Sequence, residues 1–323
     1  QLSGSQSVAM TIRRDSDNTE TDIGFDSNGN LDEAAIETFC TGTVCKVSSW
    51  ADQSGNGNDA TQSTAANQPT IYTSGALVKE GGKVALDFDG SNDKFQLGLS
   101  ITNADSLSYF YTGNYIGSGP ANQWMVQTSE SPTLFVPVAE EDDNNTDIIF
   151  GVSSSSYYAS GTSVTLANRG DVYDAFAGKQ TLSSIFGSST VTLSNSYLGG
   201  RVGNSYMLNG LLQEFILYTA SKSSVRTSIE SNIGDYFTQN TPLLDTYSGA
   251  AAAYSLRKLR SDYSGNAVKV RRASDNVEAD IGFNVFKELD TGALAAHCGS
   301  SDGFVSVWYD QSSSNNATQT TAA

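Results

Sequence analysis

The groups able to do chemistry in this chain are mostly carboxylates: 35 Asp and Glu stand against 18 Lys and Arg and one histidine. Two carboxylates about 5 Å apart can act as nucleophile and acid/base in a retaining glycosidase. Loop carboxylates joined by carbonyls can hold Ca²⁺. The candidates for calcium are Asp52 and the group Asp87, Asp89 and Asp93. The run Glu140-Glu141-Asp142-Asp143 reads as a solvated loop, because adjacent acids point apart and repel. Glu214 stands among Leu211, Leu212, Phe215 and Ile216 on an apolar run, and the default for such a charge is to face water. A Ser-His-Asp triad would have to use His297, which reads as a helix packing position. Cys40 and Cys45 could close a small disulfide loop, leaving Cys298 over.

These residues need a frame, and the composition suits short strands joined by turns. Hydrophobic residues make up 38%, charged residues 16%, and there are 30 glycines among 323 residues. That excludes a disordered chain and a helical bundle. A net charge of -17 repels phosphates and anionic headgroups, so neither nucleic acid nor membrane is expected as a partner. Alternating apolar and polar residues mark strands at 8–13, 84–88, 107–111, 133–138, 148–152, 163–166 and 191–193, with a buried strand at 211–218. Helices are expected from Asp32 through Ala34–Phe39, at Ser223–Phe237 and over the Ala-rich stretch Ala250–Leu259.

The sequence also repeats itself. Arg13-Arg14-Asp15-Ser16-Asp17-Asn18 returns 258 positions later as Arg271-Arg272-Ala273-Ser274-Asp275-Asn276, and Asp22-Ile23-Gly24-Phe25 returns as Asp280-Ile281-Gly282-Phe283. Cys40 matches Cys298, and Trp50 with Asp52-Gln53 matches Trp308 with Asp310-Gln311. About 20 of some 46 aligned positions are identical, far beyond chance. The expected division is therefore a first module over 1–240, lacking its opening segment, and the N-terminal part of a second over 241–323. The expected fold is an all-β antiparallel jelly-roll sandwich with a few short helices, in tandem repeat. The Asp52–Asn58 loop keeps Asp, Gln and Asn but loses its glycines in the second copy, which points to side-chain bonds holding the loop backbone.

The segments Phe39–Cys45 and Trp50–Asn58 resemble the signature of the α-L-arabinofuranosidase B catalytic domain, and Ser264–Asp275 resembles that family's N-terminal strand. Lys83–Phe95 and Asn209–Phe237 resemble concanavalin A-like and laminin-G jelly rolls more generally. Modules opening like Leu244–Ala251 resemble ones repeated in structural proteins of marine bacteriophages. The arabinofuranosidase resemblance implies a Cys40–Cys45 disulfide. It also implies that the family's nucleophile and acid/base would fall on Ser153 and Gly203, neither of which is a carboxylate, and the family's sugar-contacting vicinal cysteines are absent.

The expectation from sequence is thus a non-catalytic building block of a virion fibre, spike or other extracellular appendage, with no enzyme activity. Its partners would be copies of itself or other proteins of the same assembly. A carbohydrate-binding module of a secreted or cell-surface protein comes second, with Trp124, Tyr157, Tyr158 and Tyr206 as candidate contacts to surface glycans. An arabinofuranosidase-like hydrolase comes third.

Overall fold

The computed structural model describes residues 6–319, apart from 105, 116–122, 131–132, 140–143, 145, 147–154, 177–179, 188–190, 194, 202–205 and 238–241. The described fold is mostly antiparallel sheet with a few short helices, sandwich-like in character. It divides into two units, one formed by 1–157 and 165–224, the other by 158–164 and 225–323.

In the first unit, β1 (Val8–Arg14) pairs with β2 (Glu20–Gly24) and with β3 (Cys45–Trp50). The β1–β2 turn places Asn18 at φ 58, a left-handed conformation that Asn tolerates better than most residues, and its N–H bonds the Arg14 carbonyl at 2.9 Å. Between β2 and β3 runs α1 (Glu33–Phe39), whose first turn is capped by the Asp32 carboxylate accepting from the Ala35 N–H at 3.0 Å. β3 continues the sheet to β4 (Ala60–Thr61) and β5 (Thr70–Thr73). Beyond β5 the order is Leu86–Asp89, Asn209–Tyr218, Leu107–Tyr115 and Thr181–Gly187. Ile12, Val47, Ile71, Phe88, Phe95, Phe110 and Leu182 are buried. Each contributes ~1.5–3 kcal/mol relative to an exposed side chain, and their repeated placement fixes which face of each strand turns inward.

The second unit repeats the order strand, strand, helix, strand, short strand. Val268–Arg272 pairs with Glu278–Ile281 and with Gly303–Trp308, and the latter pairs with Ala317–Thr318. The helix Thr291–Cys298 is capped by Asp290, which accepts from Ala293 N–H at 2.8 Å. Val268, Val270 and Ile281 form a core with Leu289, Leu294 and Cys298 against it. A helix over Arg226–Phe237 also belongs here. Its Gly234 lies so close to the Val285 backbone that any side chain would collide.

Two expectations change. Ala250–Leu259 forms no helix: its backbone is taken up by side chains from elsewhere, as Asp310 accepts from Ala253 N–H and the Gln311 amide bonds Ser255, Arg257 and Leu259. A four-residue helix sits at Leu243–Thr246 instead. Ser223 is not the cap of the long helix but opens a 3₁₀ turn, Ser223–Val225, that leads into it. The strand expected at 148–152 lies outside the described residues.

Candidate functional site

Two cross-strand ladders in the first unit place the carboxyl of most chemical interest. Glu214 pairs with Thr112, and Thr112 pairs with Leu182. Directly opposed residues share a face, so Glu214, Thr112 and Leu182 lie on the face that also carries Phe110, Ser184 and Phe186. The edge-on contact of Phe110 with Phe186, ring centroids 5.7 Å apart, agrees. Glu214 therefore does not project freely into water, as its sequence context led us to expect. Its side chain is half-buried, Oε1 is shielded, and Oε1 has no hydrogen-bond partner. Burial raises its pKa to about 7. Thr112 Oγ1 and Ser184 Oγ, on the same face, are likewise buried without a hydrogen-bond partner. Fully buried polar atoms of this kind are ordinarily paired; here two of them line one sheet face beside an acid that holds its proton near neutrality.

A second group lies where Leu86–Asp89 turns into Phe95–Leu97. Asp89 accepts from the Ser91 and Asn92 N–H groups at 2.8 and 3.1 Å, and Asp93 accepts from the Asp89 N–H at 3.3 Å. Asp93 is buried, its Oδ1 has no hydrogen-bond partner, and burial followed by the Asp89 charge raises its pKa to about 7. Asp87 is raised by the same two causes in the same order. Lys94 turns away, donating to the Arg201 carbonyl at 3.0 Å and lying over the Tyr197 ring. Among the described residues no three His, Cys, Asp or Glu side chains gather in a way that could hold a metal ion.

Asp52 spends its carboxylate on its own loop. Oδ1 accepts from Ser54 N–H at 2.8 Å, and Oδ2 accepts from Asn58 N–H at 2.9 Å and from the Ser54 hydroxyl. Burial opposes the charge, but these bonds outweigh it and the pKa falls below the ordinary value. Asp310 holds the equivalent loop through Ser312 and Asn315. The loop is held as its sequence implied, by side-chain bonds to backbone.

Cys40 and Cys45 are bonded, and Cys298 carries a free thiol. Arg13 and Arg14 serve the frame: Arg13 bonds Asp15, Asn18 and Gln68, while Arg14 bonds the Phe39 carbonyl and pairs with Asp17. Arg272 repeats the Arg14 bond by donating to the His297 carbonyl at 2.7 Å. His297 packs as expected, with Nε2 3.1 Å from the Val270 carbonyl.

Three of the four aromatic candidates have described side chains. The Tyr158 ring in the second unit is covered by the Arg226 guanidinium at 3.8 Å, and Arg226 is itself paired with the buried Glu230. Tyr206 in the first unit, at φ 59, lies under Arg201. Tyr157 is half-buried. The Trp124 side chain, the Glu140–Asp143 run, Ser153 and Gly203 lie outside the described residues.

The described first unit is a sheet-rich domain with buried carboxyl groups on its sheet. The chain matches the family model of α-L-arabinofuranosidase B, catalytic, over residues 3–91 and 236–323, together more than half its length, and belongs to that family. Solved structures similar to it include an arabinofuranosidase complexed with arabinofuranosyl-α-1,2-xylobiose, at 17% identity and TM-score 0.49, covering 85% of this chain and 66% of that one. Another is a mutant GH54 α-L-arabinofuranosidase soaked with 4-nitrophenyl α-L-arabinofuranoside, at 17% identity and TM-score 0.49, covering 85% and 65%. The chain thus spans just under two thirds of the length of these neighbours. No curated protein matches it.

Family membership overturns the expectation of a non-catalytic virion or appendage module and, with it, the expectation that the chain is no enzyme. The repeated Trp-Asp-Gln loop and the capped helix belong to the framework of a catalytic family and are not devices for assembling a fibre.

Proposed function

We propose that the chain is a glycoside hydrolase domain that releases α-L-arabinofuranosyl groups, with Glu214 as the proton donor. Its membership of the arabinofuranosidase B catalytic family carries the reading. The local chemistry agrees. Glu214 is the first carboxyl after the Tyr197–Gly200 turn. Its Oε1 is shielded from water, and burial keeps it protonated up to about pH 7. A general acid must be protonated before it can pass its proton to the leaving oxygen, and an apolar sheet face is the way to achieve this at neutral pH.

We place this domain in a concanavalin-like jelly roll, with residues 1–240 as one module and 241–323 as the start of another. The Cys40–Cys45 disulfide supports work in an oxidising, extracellular setting. No helix among the described residues is long and apolar enough to cross a membrane. The test is to incubate the full chain with an α-L-arabinofuranoside and quantify free L-arabinose. Enzyme-dependent release supports the reading; no release above the uncatalysed rate rejects it.

A further inference from the structure

An asparagine followed by glycine is open to attack by its own main chain, because glycine has no Cβ to keep its nitrogen away from the asparagine amide. The sequence holds three such pairs, Asn28-Gly29, Asn56-Gly57 and Asn209-Gly210. All lie in the first unit, and the fold treats them differently. Gly210 is buried in the sheet, opposite Phe88 on one side and Tyr115 on the other. The Gly29 N–H donates to the Asp26 carbonyl at 3.0 Å, in a turn that Asp26 Oδ1 also holds through the Asn28 and Asn30 N–H groups. Asn56 and Gly57 are both exposed, with Gly57 at φ 73. Among the described residues nothing accepts from the Gly57 N–H. The Asn56 side chain is tethered through Nδ2, which donates to the Ser54 hydroxyl at 2.9 Å.

We propose that Asn56 is a self-modification site, which converts to aspartate and isoaspartate in the folded protein well ahead of Asn28 and Asn209. The Gly57 nitrogen gives its proton to hydroxide and bonds to Asn56 Cγ. The Cγ–Nδ2 bond breaks, and ammonia leaves with a proton taken from water. Water then opens the cyclic imide at either carbonyl, giving aspartate or isoaspartate. The balance is one water consumed and one ammonia released. The product alters the loop in two ways. Isoaspartate adds a methylene to the main chain two residues before Asn58, whose N–H bonds Asp52 Oδ2 at 2.9 Å. Either product adds a carboxylate to a loop already held by Asp52 and by Asp59, which accepts from the Asp52 N–H at 2.8 Å. The corresponding loop of the second unit, Ser312-Ser313-Ser314 before Asn315, carries no Asn-Gly pair, while Asp310 still bonds the Asn315 N–H at 3.2 Å.

The experiment holds the full chain at mildly alkaline pH and digests samples at intervals under mildly acidic conditions. Mass spectrometry follows each Asn-Gly peptide, and electron-based fragmentation separates isoaspartate from aspartate. A main-chain N–H held in a bond must give it up before its nitrogen can attack. Asn56 should therefore convert at least about fivefold faster than Asn28, and faster still than Asn209. In the urea-unfolded chain the three rates should converge. Hydrogen exchange at the Asn58 N–H should quicken as Asn56 converts, while exchange at the Asn315 N–H stays constant. N56Q, whose longer side chain closes a ring far more slowly, should keep both the mass of its loop peptide and the slow exchange at Asn58. Conversion of Asn56 no faster than that of Asn28 or Asn209 overturns the proposal, as does a rate order that survives unfolding. Conversion that leaves Asn58 exchange unchanged overturns the effect on the loop.

Discussion

Glu214 and Thr112 sit directly opposite each other on neighbouring strands, and the shielded Oε1 of one and the Oγ1 of the other both lack a hydrogen-bond partner. Leaving two such atoms without partners costs about 1–3 kcal/mol each unless a ligand or water completes them. If Glu214 is the proton donor, activity should be full at acidic pH and fall as pH rises through about 7. E214Q keeps the shape but cannot give the proton, so kcat should drop by about 10²- to 10⁴-fold. A pH–rate profile of the parent chain checks the first statement and single-turnover rates of E214Q the second.

Asp93 makes a stability prediction with a definite sign. Its folded pKa, about 7, lies above the ordinary 3.8, so the folded state holds the proton more tightly than the unfolded chain does. Its stabilising contribution is full below pH 4 and is lost as pH rises through 7. D93N removes the charge and keeps an acceptor for the Asp89 N–H. Thermal unfolding of the parent should fall between pH 5 and 8 more than that of D93N, and at pH 8 D93N should melt a few degrees higher.

Gly303 stands where the first unit has Cys45, and a Cβ built there would lie 2.6 Å from the Cys298 sulfur. G303C should therefore close a disulfide with Cys298 under oxidising conditions and stabilise the chain by about 2 kcal/mol, as expected for a loop this short. Thiol titration before and after unfolding decides it: one reactive thiol in the parent, none in the oxidised variant.

The Gln311 side chain is buried and makes three bonds to one extended segment, accepting from Leu259 N–H at 2.7 Å and donating to the Ser255 and Arg257 carbonyls at 3.0 and 2.9 Å. Q311A should cost about 2–3 kcal/mol by orphaning backbone groups. Hydrogen exchange should show faster exchange at Leu259 in the variant, while the Asp290-capped helix is unaffected.

Local rules made much of this frame readable from sequence. The Asp32 cap and the Asp52 loop follow from residue type and short spacing, the Cys40–Cys45 bond follows from the arabinofuranosidase resemblance, and each is present. The Ala250–Leu259 segment misled because alanine propensity is weak, and two distant side chains, Asp310 and Gln311, outbid the helix for its backbone. Glu214 was misplaced for a related reason. Alternation along one strand says which residues share a face, not which neighbours close over that face. Only the pairing with Thr112, and the ladder on to Leu182, shows the acid to be shielded.

The most direct test is to follow release of free L-arabinose from methyl α-L-arabinofuranoside, whose leaving alcohol needs a proton, by the parent chain and by E214Q, prepared side by side. The account predicts turnover by the parent and a loss of about a hundredfold or more in E214Q at unchanged folding. An inactive parent would contradict hydrolysis itself. An active parent with an equally active E214Q would leave the hydrolase standing and remove Glu214 from its chemistry.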